Sequence, residues 1–230
     1  MSPLIRRISL VLFILFVFIT SISDFSTIYN DDGKLFYYAN GFQDTGSYNY
    51  VTGIYLDYRL FDSLFEAAIL LIAVAGVMLI SEHSIDEKNA TFMLDKQKTP
   101  ELFITFSRLL YPIMLLFGIY VIVNGHLSPG GGFQGGAIVA TAILILYYID
   151  ITKTVNVHVV LTIEKILFIV LVLTASLSYL TRGVLFTNFF RLDASLDQKA
   201  IFLTLMNILI GAKVSLGLVA IFTAFLKEGR

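Results

Sequence analysis

Six apolar runs dominate this chain of 230 residues: about Ile8–Ile22, Phe61–Ile80, Leu102–Val123, Gly132–Ile149, Val160–Tyr179 and Phe202–Leu226. Most approach the roughly 20 residues that a helix needs to cross a bilayer. Lipid offers the backbone no hydrogen-bond partner, so such segments must be helical. The expected fold is an all-α, polytopic integral membrane protein with about six transmembrane helices in the cell membrane. The first run is short unless it starts at Leu4, and the fourth is short unless its glycine-rich entrance lies at membrane depth. Composition agrees: 57% of residues are hydrophobic, more apolar side chain than a soluble protein of this size can cover. The N-terminal MSPLIRRISLVLFILFVFIT has the basic-then-apolar form of a signal peptide. Bulky residues follow it instead of a small-x-small cleavage site, which points to a retained first helix.

Lysine and arginine in short loops set orientation. With the N-terminus inside, the inner ends carry Arg6, Arg7, Lys88, Lys96, Lys98, Lys153, Lys227 and Arg230. The outer loops carry Lys34, Arg59, Arg182, Arg191 and Lys199. This modest bias favours both termini in the cytoplasm. The polar stretch Ser23–Leu60, with Asp24, Asp31, Asp32, Asp44 and Asp57, reads as an external loop folded against its neighbours. The charged stretch Ser81–Pro100 has no apolar period and reads as a linker. Two modules are expected, residues 1–90 with two spans and residues 91–230 with four.

A net charge of −1 gives no general pull on nucleic acid. With no cysteine, the chain has no disulfide and no thiolate ligand. His83, His126 and His158 are too scattered to suggest a metal site. No nucleophile elbow, zinc-ligand pair, dinucleotide fingerprint or haem attachment pattern appears. The chain is therefore not expected to be an enzyme by itself, and no catalytic residue, cofactor or metal is assigned.

Charged residues inside the apolar runs are the informative exceptions, because a charge facing lipid is costly. Lys213 is near the middle of its run, too deep to snorkel comfortably. It is either half of a buried pair that fixes helix packing or a relay that moves protons and tunes a cation's energy. Asn207, Gly211 and Gly217 flank it, and small residues allow close helix contact. Asp62 and Glu66 open the second span four residues apart, on one helix face that Arg59 can approach. They form either an interfacial salt bridge or a proton- or cation-carrying carboxylate, with Glu66 the deeper candidate. Glu164, near the start of the fifth span, is a surface anchor or a carboxylate feeding a polar path.

The most distinctive run is NGHLSPGGGFQGG, Asn124 to Gly136. Pro129 restricts Ser128 to extended geometry, and Gly130, Gly131 and Gly132 permit left-handed angles and close backbone approach. One helix is expected to stop near Asn124 and the next to start after Gly132. Amides exposed in the turn could bind an anion or hold water. The run lacks the Gly-Lys-Ser/Thr ending of a phosphate loop. Gly135 and Gly136 suit a tightly packed helix. His126 either carries a proton near neutral pH or is satisfied by loop carbonyls.

Asn124-Gly125-His126, then Pro129-Gly130-Gly131-Gly132-Phe133 and Gly135-Gly136, resembles the signature of the B subunit of Mrp-type multisubunit Na+/H+ antiporters. Related subunits occur in the membrane arms of membrane-bound hydrogenases and sulfur-reducing complexes. Asn207-Ile-Leu-Ile-Gly211-Ala-Lys213-Val resembles that family's last helix, so the likeness covers about Pro100–Leu226. In the front part, Asn49-Tyr-Val51-Thr52 and Asp57-Tyr-Arg59-Leu-Phe61-Asp62-Ser63-Leu-Phe-Glu66 resemble the C-terminal region of the antiporter A subunit. That family commonly has Thr where this chain has Ser63 and Gly where it has Phe65. The chain thus looks like two adjacent small subunits fused. The resemblance implies a membrane subunit of a sodium- and proton-translocating assembly, either a stand-alone antiporter or a redox-driven complex. Its partners would be other membrane subunits, lipid, Na+ and H+. Glu66 would be a cation-pathway carboxylate and Lys213 a buried polar partner. The competing expectation is a subunit that only docks larger transport subunits.

Overall fold

The computed structural model describes residues 3–23, 31–84, 100–149, 156–191 and 193–228. The expected linker and the boundary between residues 90 and 91 fall largely or wholly outside them. Two compact units are present, Met1–Phe36 and Tyr37–Arg230. The first contains α1, Pro3–Ser23, whose segment Val11–Thr20 is apolar.

The stretch after α1 departs from expectation at once. The stretch read as a loop is largely helical: α2 covers Asp32–Thr45, α3 covers Tyr50–Gly53, and a π-helical turn covers Ile54–Tyr58. Asn49 starts α3 by accepting the Val51 N–H, as a short polar cap does. The π turn closes where the Arg59 N–H donates to the Ile54 carbonyl. Its wider winding buries both Leu56 and Asp57. Local polarity concealed this element because its helices are held by contacts to the rest of the bundle.

The long helices follow the apolar runs: α4 Leu60–Ser84, α5 Glu101–Val123, α6 Gly132–Ile149 and α7 Val157–Ser176, then short α8 Ser178–Arg182 and long α9 Leu196–Glu228. Asn156 caps α7, and Gly183 ends α8 in the left-handed region at φ 70°. Four of the described helical stretches, Leu60–Ser81, Glu101–Val123, Val157–Arg182 and Leu196–Phe225, are long and apolar enough to cross a membrane. Shorter apolar helices cover Val11–Thr20 and Gly132–Tyr147.

Helix α9 is the axis, packed against α4, α5, α6 and α7. More than half of its span, 56%, is buried within the chain, against 11% to 22% for the other three long spans. Phe202, Leu203, Met206, Ile210 and Val214 of α9 meet Leu56 and Leu60, Leu64 and Ala67 of α4, and Leu171 and Ala175 of α7. The outward sides of α5 and α7 remain apolar, with Phe106, Leu109, Leu116, Ile166 and Leu173 exposed. Water would not tolerate so extensive an apolar surface, whereas lipid does.

Dispersion and close approach hold helices together in lipid, so small residues matter at their contacts. Helix α6 sits between α5 and α9 through glycines on both sides. A Cβ at Gly132 would lie 2.7 Å from the Asn207 carbonyl, and one at Gly136 would lie 2.7 Å from the Gly211 carbonyl. On the opposite side, a Cβ at Gly135 would lie 2.7 Å from the Gly118 carbonyl of α5. Backbone cannot yield as a flexible side chain can. Gly132→Ala is therefore expected to cost about 1–3 kcal/mol, read as a lower unfolding midpoint of the purified protein; an unchanged midpoint would mean that α6 and α9 separate freely.

Candidate functional site

Lys213 lies about 25 Å along α9 from Leu196, at 1.5 Å per residue. Its side chain is 0% exposed, and Nζ is 2.9 Å from Glu164 Oε1 on α7. The ammonium also donates to the Ala67 carbonyl of α4 at 2.7 Å. One cation thus ties three helices. Glu164 is completely buried as well, so α7 presents it inward and leaves Lys165 exposed. Its surface-anchor reading is corrected: the inward face of α7 decides where the carboxylate points, not its distance from the helix end. Gly217, one turn beyond Lys213, keeps space beside the carboxylate; a Cβ there would be 3.6 Å from Oε1. Glu164 Oε2 has no hydrogen-bond partner among the described residues. A salt bridge with one oxygen left over combines a titratable acid, a titratable base and an open acceptor within the span.

The glycine-rich turn spends several of its carbonyls, and the Gly132 amide, on bonds within the chain. Val123 ends α5 and Gly132 begins α6, at the expected positions. Gly130 has φ 148° and Gly131 φ 158°, and a Cβ at Gly131 would overlap the Tyr55 hydroxyl. The carbonyls are already in use. Gly125 O accepts from Asn49 Nδ2 and Thr52 Oγ1, while His126 O accepts from the Asn49 N–H and Ser47 Oγ. Ser128 O accepts a further bond from Asn49 Nδ2. Two acceptor sites per carbonyl leave Gly125 and His126 no capacity to spare. The Gly132 N–H is taken too, donating to Asn207 Oδ1 at 2.9 Å, where Asn207 also accepts the Tyr55 hydroxyl. Asn207 therefore caps the start of α6 from a neighbouring helix. The turn, with Pro129 exposed at its edge, is a latch that holds the front region to the back one.

His126 is half-buried, with Nδ1 3.1 Å from Thr204 Oγ1. It borders a cavity of about 460 Å³ with Asp197, Ile201, Leu205 and Ile208. Burial holds its imidazole below the ordinary value, opposed by a bond with the Val123 backbone. A folded-state value below the unfolded one means the unfolded chain binds more protons. Stability should then fall as pH drops below about 6.5, the unfolded value. The unfolding midpoint is expected to drop between pH 7.5 and 5.5, and His126→Asn should lessen that drop; an equal drop in both proteins would discount this histidine.

Asp62 pairs with Arg59 at 2.6 Å, and both side chains are largely exposed. Glu66 does not join them. It is exposed on α4, beside the residue whose carbonyl receives Lys213. The structure thus unites Lys213 with Glu164, joins Asn207 to the turn, and leaves Glu66 apart.

A second buried charge cluster joins residues that the sequence did not connect. Asp57 Oδ1 accepts from Thr187 Oγ1 at 2.7 Å and from the Asn188 N–H at 3.0 Å. Arg182 Nη1 is 3.5 Å from the same oxygen, and its Nε donates to the Phe190 carbonyl. Burial pushes the Asp57 carboxyl above the usual range, while Thr187, Asn188 and Arg182 pull it down. Lys199, also buried, donates to the Gln43 carbonyl. These bonds stitch the π turn to α8 and the segment after it, and α2 to the first turn of α9. Asp57 and Arg182 lie far apart in sequence, so spacing carried no signal. Asp44, Tyr58, Arg191 and Asp193 join them around a cleft of about 790 Å³.

An all-α, multi-pass membrane protein whose spans enclose an ion pair is the class that this fold and site define. The model of the domain related to the MnhB subunit of the Na+/H+ antiporter matches residues 102–220, and the chain belongs to that family. It is 41% identical over 64 residues to the B subunit of the Na(+)/H(+) antiporter of Bacillus subtilis, covering 27% of this chain and 45% of that one. It is 31% identical over 112 residues to the protein MJ1307 of Methanocaldococcus jannaschii, covering 42% of each. The chain thus spans less than half the length of these curated relatives. Among solved structures, it matches a chain of the membrane-bound sulfane sulfur reductase, an archaeal respiratory membrane complex, with TM-score 0.68 and 28% identity over 98% of this chain and 99% of that one. A chain of the Mrp complex from Dietzia sp. DQ12-45-1b shares the fold with TM-score 0.57 and 22% identity, over 94% of this chain and 26% of that one.

Proposed function

We propose that this chain is a non-catalytic membrane subunit of a multisubunit cation- and proton-translocating complex, where it forms or seals part of a hydrated path. The observation that carries the reading is the Lys213–Glu164 pair, wholly buried between α9 and α7 and tied to α4. A charged pair gives no obvious advantage over apolar packing at such a place. In spanning helices, ionisable groups of this kind serve proton relays and ion pathways. The matched relatives named as antiporter B subunits and the near full-length match within a respiratory membrane complex support the same role. Sodium would need oxygen ligands, and the filled Gly125 and His126 carbonyls leave other oxygens of this chain and groups of its partners to provide them. The parent assembly is an Mrp-type antiporter or a hydrogenase- or sulfur-reductase-like complex.

The finer organisation follows the same reading. Six spans, with both termini in the cytoplasm, fit the distribution of lysine and arginine. A front module of residues 1–90, akin to the C-terminal region of the antiporter A subunit, would precede a B-like module of residues 91–230. Nearly all of this chain aligns with about a quarter of one longer chain of the Dietzia complex, which supports the continuity of the two parts. The docking-only reading has its own observation, since Lys213 is fully paired without any other protein.

The double variant Glu164→Leu/Lys213→Met separates the two readings. It removes both charges and leaves neither stranded. Sodium-dependent proton flux in vesicles of the native membrane is expected to fall at least tenfold while the subunit stays assembled. Wild-type flux from an assembled variant would reject the path and leave the docking role.

A further inference from the structure

The exposed side of α4 is divided into two lanes. One is bulky: Phe61, Phe65, Ile72 and Leu79 are 50%, 55%, 71% and 62% exposed. The other runs Asp62, Glu66, Ile69, Ala73, Gly76 and Ile80, at the alternating spacing of three and four residues that keeps one helix face. Its centre is narrow, because Ala73 and Gly76 are small and a Cβ added at Gly76 would meet nothing within 4 Å. The first lane suits lipid tails. The second contains Glu66, about 9 Å into the span Leu60–Ser81 at 1.5 Å per residue. Glu66 has no ion-pair or hydrogen-bond partner among the described residues, since nearby Arg59 is engaged with Asp62. The other polar groups of this region, Asn49, Thr52, Tyr55, Asp57 and Ser63, all bond within the chain. A carboxylate facing hydrocarbon is costly, and its short side chain reaches less far than lysine's.

We propose that the lane Glu66–Ile69–Ala73–Gly76 receives a spanning helix of another subunit, and that this helix places a lysine, arginine or histidine opposite Glu66. Charge complementarity selects the partner, and the small residues allow its backbone to come close. The inference rests on the subunit reading above and assigns the face at which one neighbour docks.

The wild-type chain has no cysteine, so Ala73→Cys places a single thiol on the lane. A photo-reactive group attached there in native membranes should cross-link to a spanning peptide of a different protein. That peptide should carry a basic residue within two turns of the cross-link, toward Glu66. Adding Gly76→Leu, which the chain itself has room to hold, should reduce the adduct at least tenfold, as should Glu66→Lys. Adducts only with lipid would overturn the proposal. So would adducts with α1 of this chain, with a second copy, or with a peptide lacking a basic residue, and so would an adduct indifferent to both substitutions. Ion flux is not the readout, so a failed path reading would leave the cross-link intact. Conversely, co-purification with other subunits would survive a failed cross-link if they dock on another face.

Discussion

Lys213→Ala is expected to lower the stability of the folded chain by about 3–5 kcal/mol, the usual cost of stranding one charge of a buried pair. The substitution leaves Glu164, fully buried, with neither oxygen facing a cation. It also takes the ammonium from the Ala67 carbonyl, loosening the contact of α4 with α9. The midpoint of thermal unfolding in detergent should fall sharply, and the amount of folded subunit in the membrane should fall with it. Combining Glu164→Leu with Lys213→Met should restore most of the loss, because the desolvation cost disappears with both charges. A single variant as stable as the wild type would show that the pair lies outside the hydrocarbon, and ion conduction through this chain would lose its foundation.

Asp57→Ala should have the second-largest effect, about 3 kcal/mol, at the opposite kind of location: the junction of loop and bundle. It removes the acceptor of the Thr187 hydroxyl and the Asn188 N–H and leaves Arg182, whose side chain is only 12% exposed, without its counter-ion. The segment from Gly183 to Ser195 should then open. Limited trypsin digestion should cut after Arg182 and Arg191 many times faster than in the wild type, with Asp57→Asn intermediate because it keeps an acceptor but not the charge. Equal digestion rates would show that the Arg182 bonds to Phe190 and Thr187 suffice to hold the segment.

The spans were legible because hydropathy and helix length are properties of consecutive residues. The run Leu102–Val123 became α5 Glu101–Val123, and Gly132–Ile149 became α6 with the same ends. The stop at Asn124 and restart at Gly132 were legible too, since proline and glycine restrict or free the backbone locally. Lys213 stood out in sequence as a charge with no route to the surface. Its partner did not, because Glu164 is 49 residues away and, read alone, is near enough to a helix end to pass as an anchor. The helical character of residues 32–58 was hidden for a related reason: Asn49, Thr52, Tyr55 and Asp57 hold it through groups from distant segments.

From the order of residues alone come the membrane-spanning helices, the tight glycine turn and the need to shelter a lysine at depth, since each depends on the burial or backbone preference of neighbours along the chain. Only the tertiary structure pairs Lys213 with Glu164, turns the glycine run into a latch filled by Asn49, Thr52 and Asn207, and leaves Glu66 facing outward. Those outcomes depend on the rotation of one helix against another, which a difference of one residue changes by about 100° and which close packing fixes only once all the helices are in place.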